Sequence, residues 1–260
     1  MTSETPLRGP PDEREVQSLL EFGVINLDKP PGPSAHQVSA WVKSLTGLDR
    51  AAHAGTLDPK VTGVLPVLLG NATRLVPALQ EGTKEYVAVL ELHASPPSTL
   101  ESTVAEFEGE IYQKPPRKSA VARRLRTRTV YDLEVLEVKE RQALLHMEVE
   151  SGTYVRKLCH DIGLALGTGA HMGDLRRTAT TPFDDTELHT LHDLSDGLGR
   201  YEASDRADWL REVIHPAERA LTHLPDVVIA PSAAEQVANG APVYAPGVIE
   251  APVADPDGLV

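Results

Sequence analysis

The chain has 260 residues, of which 41% are hydrophobic and 24% charged, proportions typical of folded globular proteins. Its apolar runs are far shorter than the roughly 20 residues of a membrane-spanning helix, and its first residues lack the apolar stretch of a secretory signal. We therefore expect a cytoplasmic protein without membrane contact. The formal net charge is −13, with 17 arginines against 8 lysines, which is typical of proteins that stay soluble at high salt. An ordinary acidic cytosolic protein is the alternative.

The first elements are predicted from turn residues and apolar spacing. Residues 24–27 form a predicted strand that ends at the proline-rich stretch 29–33. Ser34 is a predicted helix N-cap, because apolar residues recur at helical spacing after it. The helix is predicted to end at Gly47, since glycine readily adopts left-handed backbone angles.

Alternating apolar and polar residues then predict three strands, over residues 86–92, 130–138 and 143–149. Such strands build a sheet with one solvated or functional face. A helix is predicted over 155–166, ending at Gly167. These elements together indicate an α+β fold. Near residue 224 the chain changes character, with a further predicted strand at 226–230 and a short helix at 232–239.

Charge is distributed unevenly along the chain. Residues 184–260 carry a net charge of −11, whereas residues 114–128, here called the basic segment, contain seven basic residues and no acid. A purely basic stretch in an acidic protein indicates a contact surface for the phosphates of nucleic acid. Pairing with acidic surface elsewhere in the chain is the alternative. The seven residues are Lys114, Arg117, Lys118, Arg123, Arg124, Arg126 and Arg128.

Two short stretches carry residues suited to catalysis. In the first, Pro59 disfavours helical angles at Asp58, so that carboxylate is expected in a loop, where it could act as a nucleophile or a general base. The second leads from a strand into a helix, with Thr153 as the expected N-cap and Arg156 in the first turn. Because a cation is unfavourable at a helix N-terminus, Arg156 is expected to pair with a carboxylate. Taken alone, each residue could also be an ordinary turn or surface residue.

Other classes of site have less support. The single cysteine, Cys159, excludes disulfides within the chain and a zinc site built from cysteines. His189, His192 and Asp193 cluster, but not with the spacing of a metalloenzyme motif, so we expect no metal. Neither of the glycine-rich phosphate-binding motifs is present, which argues against a nucleotide cofactor. The residue spacing does not exclude a glycosidase, in which a pair of carboxylates acts on a glycosidic bond.

Five stretches, in order, resemble the TruB-type pseudouridine synthases, and most closely their archaeal and eukaryotic dyskerin-like branch, the catalytic subunit of box H/ACA ribonucleoproteins. The second stretch, residues 53–63, resembles the catalytic loop of the family, and the last two stretches favour the dyskerin-like branch together with the basic segment. Ala35 and Ala54 depart from the expected serine or threonine. The stretches are 23–34 (GVINLDKPPGPS), 53–63 (HAGTLDPKVTG), 84–86 (KEY), 115–121 (PPRKSAV), and 154–161 (YVRKLCHD) followed by 169–178 (GAHMGDLRRT).

The resemblance implies a role for each matching residue. Asp58 corresponds to the nucleophile, Tyr86 to the tyrosine that stacks on the uracil and is a candidate for taking the C5 proton, and Arg156 to the arginine that pairs with the carboxylate. His53 corresponds to the histidine that fills the space of the flipped base. Because the reaction is an isomerisation, it implies no cofactor. The remaining residues that the resemblance places at the substrate or RNA are Lys29, Tyr154 and Leu175, with Lys114, Arg117, Lys118, Arg123 and Arg124 of the basic segment.

The resemblance also implies the domains and the fold in more detail. We expect a polar N-terminal extension over residues 1–20. A catalytic domain over residues 21–224 is expected to have a central mixed, mainly antiparallel sheet flanked by helices. Residues 225–260 resemble the start of a PUA RNA-binding module, which needs further strands to close its barrel. We therefore expect this module to be incomplete, poorly packed from about residue 226, and impaired in anchoring guide RNA.

The implied partners are RNA and the small proteins of the H/ACA particle, with neither DNA nor a membrane. The RNA is either a tRNA or a guide paired with its target. Guide-dependent pseudouridine synthesis is the favoured function, and guide-independent modification of the uridine in the TΨC loop of tRNA is the alternative. A scaffold that binds RNA without catalysis is less favoured, because Asp58, Tyr86 and Arg156 are all present. A glycosidase acting on neutral sugars would not require the basic segment.

Overall fold

A computed structural model describes residues 9–115 and 122–252 of the chain. The helices are α1 (Val16–Glu21), α2 (Ala35–Thr46), α3 (Val76–Gln80), α4 (Leu100–Ala105), α5 (Val155–Ala165), α6 (Leu191–Ser204), α7 (Asp208–Val213) and α8 (Pro231–Ala238). The strands are β1 (Gly23–Lys29), β2 (Ala51–His53), β3 (Thr62–Leu69), β4 (Lys84–Leu92), β5 (Gly109–Gln113), β6 (Arg126–Lys139), β7 (Gln142–Val149), β8 (Ala170–Thr180), β9 (Phe183–Asp184), β10 (His215–Pro216), β11 (Val228–Ile229) and β12 (Val248–Glu250).

Ten of these strands form one sheet. Its order is β10-β1-β3-β8-β4-β7-β6-β5, with β2 added beside β3 and β9 beside β8. The β3–β8 pair is parallel, and the other pairs are antiparallel. This arrangement confirms the predicted α+β fold with a mixed, mainly antiparallel sheet. The parallel pair brings the strand that follows the Asp58 loop next to the strand that contains Leu175.

Two glycines allow close backbone approach around this pair. A Cβ atom on Gly63 would lie 2.1 Å from the Arg177 carbonyl oxygen, and Gly63 also has a positive φ of 99°. A Cβ atom on Gly163 of α5 would lie 2.1 Å from the Ala170 amide nitrogen. Because neither position has room for a side chain, glycine lets β3 and α5 pack directly against β8. That packing brings the Asp58 loop and the start of α5 towards the same strand.

Most of the predicted elements are confirmed, with one exception at the start of α5. Ser34 caps α2 by accepting a hydrogen bond from the Gln37 amide, and the helix ends at Gly47 in a left-handed conformation. The expected N-cap at Thr153 is wrong. Tyr154 occupies that position, and the Thr153 hydroxyl instead donates to the Glu150 carbonyl over 2.7 Å. The Thr153 hydroxyl therefore hydrogen-bonds within the preceding turn and does not cap the helix.

The N-terminal boundary differs from the predicted one. Three residues of α1, namely Val16, Leu19 and Leu20, are buried in the main hydrophobic core. Arg14 is also buried and forms a bidentate ion pair with Glu218 at 2.7 and 2.8 Å. The folded domain therefore begins before residue 21. A helix of six residues is too short to give a clear periodic pattern, which is why the sequence did not reveal it.

Within residues 225–252, β11 pairs with β12 in a two-stranded sheet that is not part of the ten-stranded one. None of these residues is buried, and α8 contributes no buried side chain. Sparse packing was expected here, and the identity of the segment as the start of a PUA module stays a prediction. Within the part of the chain that the structure describes, no helix is long and apolar enough to cross a membrane.

Candidate active site

The loop between β2 and β3 presents Asp58 at the surface between buried neighbours. Leu57 and Val61 are both buried, and the Val61 amide donates to the Asp58 carbonyl over 3.0 Å, which closes a tight turn. Pro59 keeps Asp58 out of helical angles. The Asp58 side chain is 52% exposed. The predicted loop position is confirmed, and the buried neighbours fix the backbone so that the carboxylate faces solvent.

Arg156 meets this carboxylate from the first turn of α5. Its Nη2 atom donates to Asp58 Oδ2, although the two residues are 98 positions apart in the sequence. The expected pairing of Arg156 with a carboxylate is therefore present. Both side chains are about half exposed, so solvent weakens the attraction and the pair contributes little to stability. Its main effect is to orient the carboxylate.

The pair lies in a cleft of about 480 Å³, which is in the size range of small-molecule sites. Leu175, which the resemblance places at the substrate, lines the cleft. Lys60, Met172 and Asp174 also line it. They were not predicted, and the only signal for them in the sequence is their position near Asp58 and Leu175. Among the described residues, the lining consists of Asp58, Pro59, Lys60, Val61, Arg156, Met172, Gly173, Asp174 and Leu175.

Tyr86 lies on β4, where it pairs in register with Arg177 of β8 and is only 9% exposed. It does not belong to the cleft lining given by the described residues. Its stacking on uracil therefore stays a prediction.

Arg177, which the sequence did not single out, supports the Asp58 loop from the interior. Its guanidinium is buried, and its Nε and Nη2 atoms donate to the carbonyls of Val64 and Gly55 over 2.7 and 3.4 Å. These carbonyls lie on either side of the Asp58 loop. Burial lowers the pKa of Arg177, while the charge and hydrogen bonding of the Tyr86 side chain oppose that shift. Arg177 thus connects both flanks of the loop to Tyr86.

Lys29 has a different place from the one expected. Its side chain is fully buried, and its ammonium donates to the carbonyls of Pro30, Pro59 and Val61 over 2.7 to 3.0 Å. Burial lowers its pKa, and the charge of Asp58 opposes the shift. The expected contact of Lys29 with RNA is therefore corrected, because its donors already face the Asp58 loop. These hydrogen bonds let the buried Lys29 side chain stabilise the Asp58 loop.

His53 and Tyr154 flank the cleft without lining it. The ring of His53 lies edge-on to that of His36, with 6.0 Å between the ring centroids. Burial is the main cause that lowers the pKa of His53, and the charges of His36 and Arg177 add to it, which favours the neutral imidazole. Tyr154 begins α5, and its carbonyl accepts from the amides of Lys157 and Leu158 at 2.9 and 3.0 Å. The roles of both side chains toward RNA stay predictions.

Lys84, two residues before Tyr86, is buried and ties β4 to the end of α3. Its ammonium donates to the carbonyls of Leu79, Gln80 and Gly82. Burial, and secondarily the charge of Arg177, lowers the pKa of Lys84 from 10.5 to about 8. Because the folded state has the lower pKa, the unfolded chain holds the proton between pH 8 and 10.5 while the folded chain releases it. This linkage makes stability rise with pH over that window.

We predict that the free energy of unfolding of the wild type, relative to a Lys84→Met variant, increases between pH 8 and 10.5. The increase should not exceed about 3 kcal/mol, because the three carbonyl acceptors favour the ammonium form. Urea unfolding at several pH values measures it. The comparison with Lys84→Met removes the pH dependence that all other groups give to both proteins. Parallel plots of unfolding free energy against pH for the two proteins would therefore contradict the prediction.

The basic segment joins β5 to β6. Lys114, Arg123 and Arg124 are exposed, while Arg117 and Lys118 lie outside the described residues. Among the described members of the segment, Arg128 alone pairs with a carboxylate, that of Glu150 at 3.0 Å. The alternative interpretation of the basic segment, that it pairs with acidic residues of the same chain, therefore holds for Arg128. The exposed cations face solvent.

No group of three or more metal-ligating side chains occurs within residues 9–115 and 122–252. The cluster at residues 189–193 has another function, because Asp193 and Thr190 form a reciprocal capping box at the start of α6. That use of Asp193 stabilises the helix and lowers the pKa of its carboxyl through hydrogen bonds from Thr190.

The sequence matches three family domains. Residues 43–99 match the N-terminal domain of TruB family pseudouridylate synthases, and residues 156–222 match the C-terminal domain of tRNA pseudouridylate synthase B. Residues 2–39 match the DKCLD domain. Similar relatives are described as "Probable tRNA pseudouridine synthase B". The one from Halobacterium salinarum is 67% identical over 94% of this chain and 83% of the relative. That from Pyrococcus furiosus is 52% identical over 92% and 71%, respectively.

Solved structures show the same fold. A Cbf5-Nop10-Gar1 complex contains a chain 51% identical to this one, with a TM-score of 0.89 over 93% of this chain and 74% of the other. An H/ACA RNP bound to a substrate RNA containing 2'-deoxyuridine contains a chain 49% identical, with a TM-score of 0.86 over 92% and 73%. Identity at this level across almost the whole length, together with the Asp58–Arg156 pair, establishes that the chain belongs to the TruB family of pseudouridine synthases.

Proposed function

We propose that the chain isomerises uridine to pseudouridine in RNA, with Asp58 as the nucleophile, and that it does so as the catalytic subunit of a guide-RNA particle. The observation that carries this proposal is the Asp58 carboxylate, held by Arg156 at the mouth of a cleft large enough for a nucleoside. Family membership and the local basic segment support an RNA-modifying enzyme, which we propose to act in the cytoplasm.

The residues account for each step of an isomerisation. The N1–C1′ bond of uridine breaks, and its electron pair leaves with the uracil, while Asp58 either attacks C1′ or takes the proton from C2′. The uracil turns within the cleft and its C5 bonds to C1′, while the Asp58–C1′ bond breaks or, on the second route, Asp58 returns the proton to C2′. The C5 proton is then transferred to a base, for which Tyr86 is our candidate. The N1 atom takes up a proton, so nothing is oxidised or reduced. Arg156 keeps the carboxylate oriented throughout.

Access to C1′ requires the target nucleotide to leave the RNA stack. The exposed cations of the basic segment are suited to hold the neighbouring phosphates, and the neutral ring of His53 is suited to fill the vacated space. Phosphate contacts weaken steeply as salt rises, because the entropy gained by releasing counterions from the RNA becomes smaller. Five arginines in the basic segment fit a protein that works at high salt, since guanidinium groups are weakly hydrated and bind phosphate bidentately.

The partners follow from the solved relatives. Chains with this fold occur in complexes with Nop10 and Gar1 and with a substrate RNA. We propose that this chain likewise assembles with small H/ACA proteins and RNA. The name of the curated relatives, a tRNA pseudouridine synthase, favours the second candidate, a guide-independent enzyme that acts on tRNA.

A pseudouridine assay at molar salt tests the proposal and separates the two candidates. The full chain is given a tRNA transcript alone, and in parallel a guide and target RNA with the small partner proteins. We expect product with the guide and partners. Product on tRNA alone would favour the second candidate. Absence of product in both formats would contradict the enzymatic function and leave an RNA-binding scaffold.

A further inference from the structure

Both ends of the basic segment are attached to the turn that precedes α5. At the first end, Gln113 is buried at 2% exposure, immediately before Lys114. Its side-chain oxygen accepts from the Tyr154 amide over 2.8 Å, and its side-chain nitrogen donates to the Tyr154 carbonyl over 3.3 Å. The amide of one side chain thus pairs with both polar groups of a single backbone residue 41 positions away. We call this contact the first anchor.

The second end is attached at Arg128. Its Nη1 donates to Glu150 Oε1 over 3.0 Å, and the other carboxylate oxygen of Glu150 accepts from the Thr129 amide over 2.9 Å. The Glu150 amide in turn donates to the Thr129 carbonyl over 2.8 Å. The guanidinium lies within 3.4 Å of where a Cβ on Gly152 would be. We call this contact the second anchor.

The anchored turn presents the partner of Asp58. Tyr154 is the N-cap of α5, and its carbonyl accepts the first hydrogen bonds of the helix, from Lys157 and Leu158. Arg156 follows two residues later in the same turn and reaches Asp58. A displacement of the Tyr154 backbone therefore displaces the first turn of α5 and with it the guanidinium that orients the nucleophile. Burial of the Gln113 amide excludes water as a substitute partner for these groups.

We infer that Gln113 is a positioning residue that couples RNA bound on the described cations Lys114, Arg123 and Arg124 to the placement of Arg156 against Asp58. RNA that seats on the exposed cations restrains the ends of the segment, and the two anchors transmit that restraint to the turn at 150–154. The inference rests on the proposed function, because it assigns the basic segment to RNA. It differs from a purely structural role in that the catalytic rate should depend on Gln113 more than RNA affinity or stability does.

The kinetic test compares Gln113→Met, which keeps the size of the side chain and removes both hydrogen bonds, with Gln142→Met. Gln142 is an exposed glutamine at the start of β7 that bonds Glu91. We expect Gln113→Met to lower the single-turnover rate at saturating RNA by about 10- to 100-fold, with RNA affinity changed less than about 3-fold. Gln142→Met should leave both unchanged. In an Arg156→Met background the same Gln113 substitution should cost less than about 3-fold. Full additivity of the two substitutions would overturn the inference.

A second measurement does not depend on activity. Hydrogen exchange is followed by mass spectrometry on the full chain, with and without a tRNA transcript. In the wild type we expect RNA to slow exchange in the basic segment and at residues 152–158. In Gln113→Met the slowing should persist in the basic segment and be lost at 152–158. Equal exchange at 152–158 in both proteins, with and without RNA, would overturn the inference even if the wild type makes no pseudouridine.

Discussion

Replacement of Asp58 by asparagine is expected to reduce pseudouridine formation by at least about 10⁴-fold, with RNA affinity and thermal stability close to those of the wild type. Asparagine keeps the shape of the side chain and an oxygen that Arg156 can bond, but it has neither the negative charge nor the nucleophilic carboxylate. Stability should be unaffected because the side chain is half exposed and its ion pair is solvated.

Release of tritium from RNA labelled at C5 of uridine measures this effect, because the C5 proton is lost when C5 bonds to C1′. Asp49→Asn is the matched control, since Asp49 is an exposed aspartate at the end of the preceding loop and the charge change is the same. Product formed by Asp58→Asn at more than about one hundredth of the wild-type rate would remove Asp58 from the role of nucleophile.

The sequence allowed prediction of the features that depend on local pattern. Alternating residues predicted β4, β6 and β7, and Ser34 and Gly47 predicted the ends of α2, while Pro59 predicted a loop at Asp58. The strands β5 and β8 were not predicted. The pairing of Asp58 with Arg156 was also expected, although nothing local joins two residues 98 positions apart. That expectation came from the resemblance, supported by the unfavourable position of an arginine at a helix N-terminus.

The buried polar residues could not be predicted in this way. Lys29, Lys84 and Arg177 are charged, so their types indicate a surface position. They are buried because strands and loops distant in sequence bring backbone carbonyls to their donors, and only the tertiary structure supplies those acceptors. Gln113 follows the same rule, since its partner is the backbone of Tyr154. The residues that hold the site in place are therefore less visible in the sequence than those that do its chemistry.

Replacement of Arg156 by methionine is expected to lower the single-turnover rate at saturating RNA by about 10²- to 10³-fold. Methionine keeps much of the length of the side chain and removes the guanidinium that orients the Asp58 carboxylate. Arg156→Lys keeps the charge without the planar donor fork, so its rate should lie between those of Arg156→Met and the wild type. Thermal stability should hardly change, because both members of the pair are about half exposed.

A double-mutant comparison with Asp58→Asn isolates the effect of Arg156 on the carboxylate. If Arg156 acts through Asp58, its removal in the Asn background should cost less than about 3-fold in any residual rate, since the group that it orients is already absent. A full loss in that background would mean that Arg156 acts on the RNA instead. A wild-type rate for Arg156→Met would show that the buried supports of the loop, Lys29 and Arg177, orient Asp58 without it.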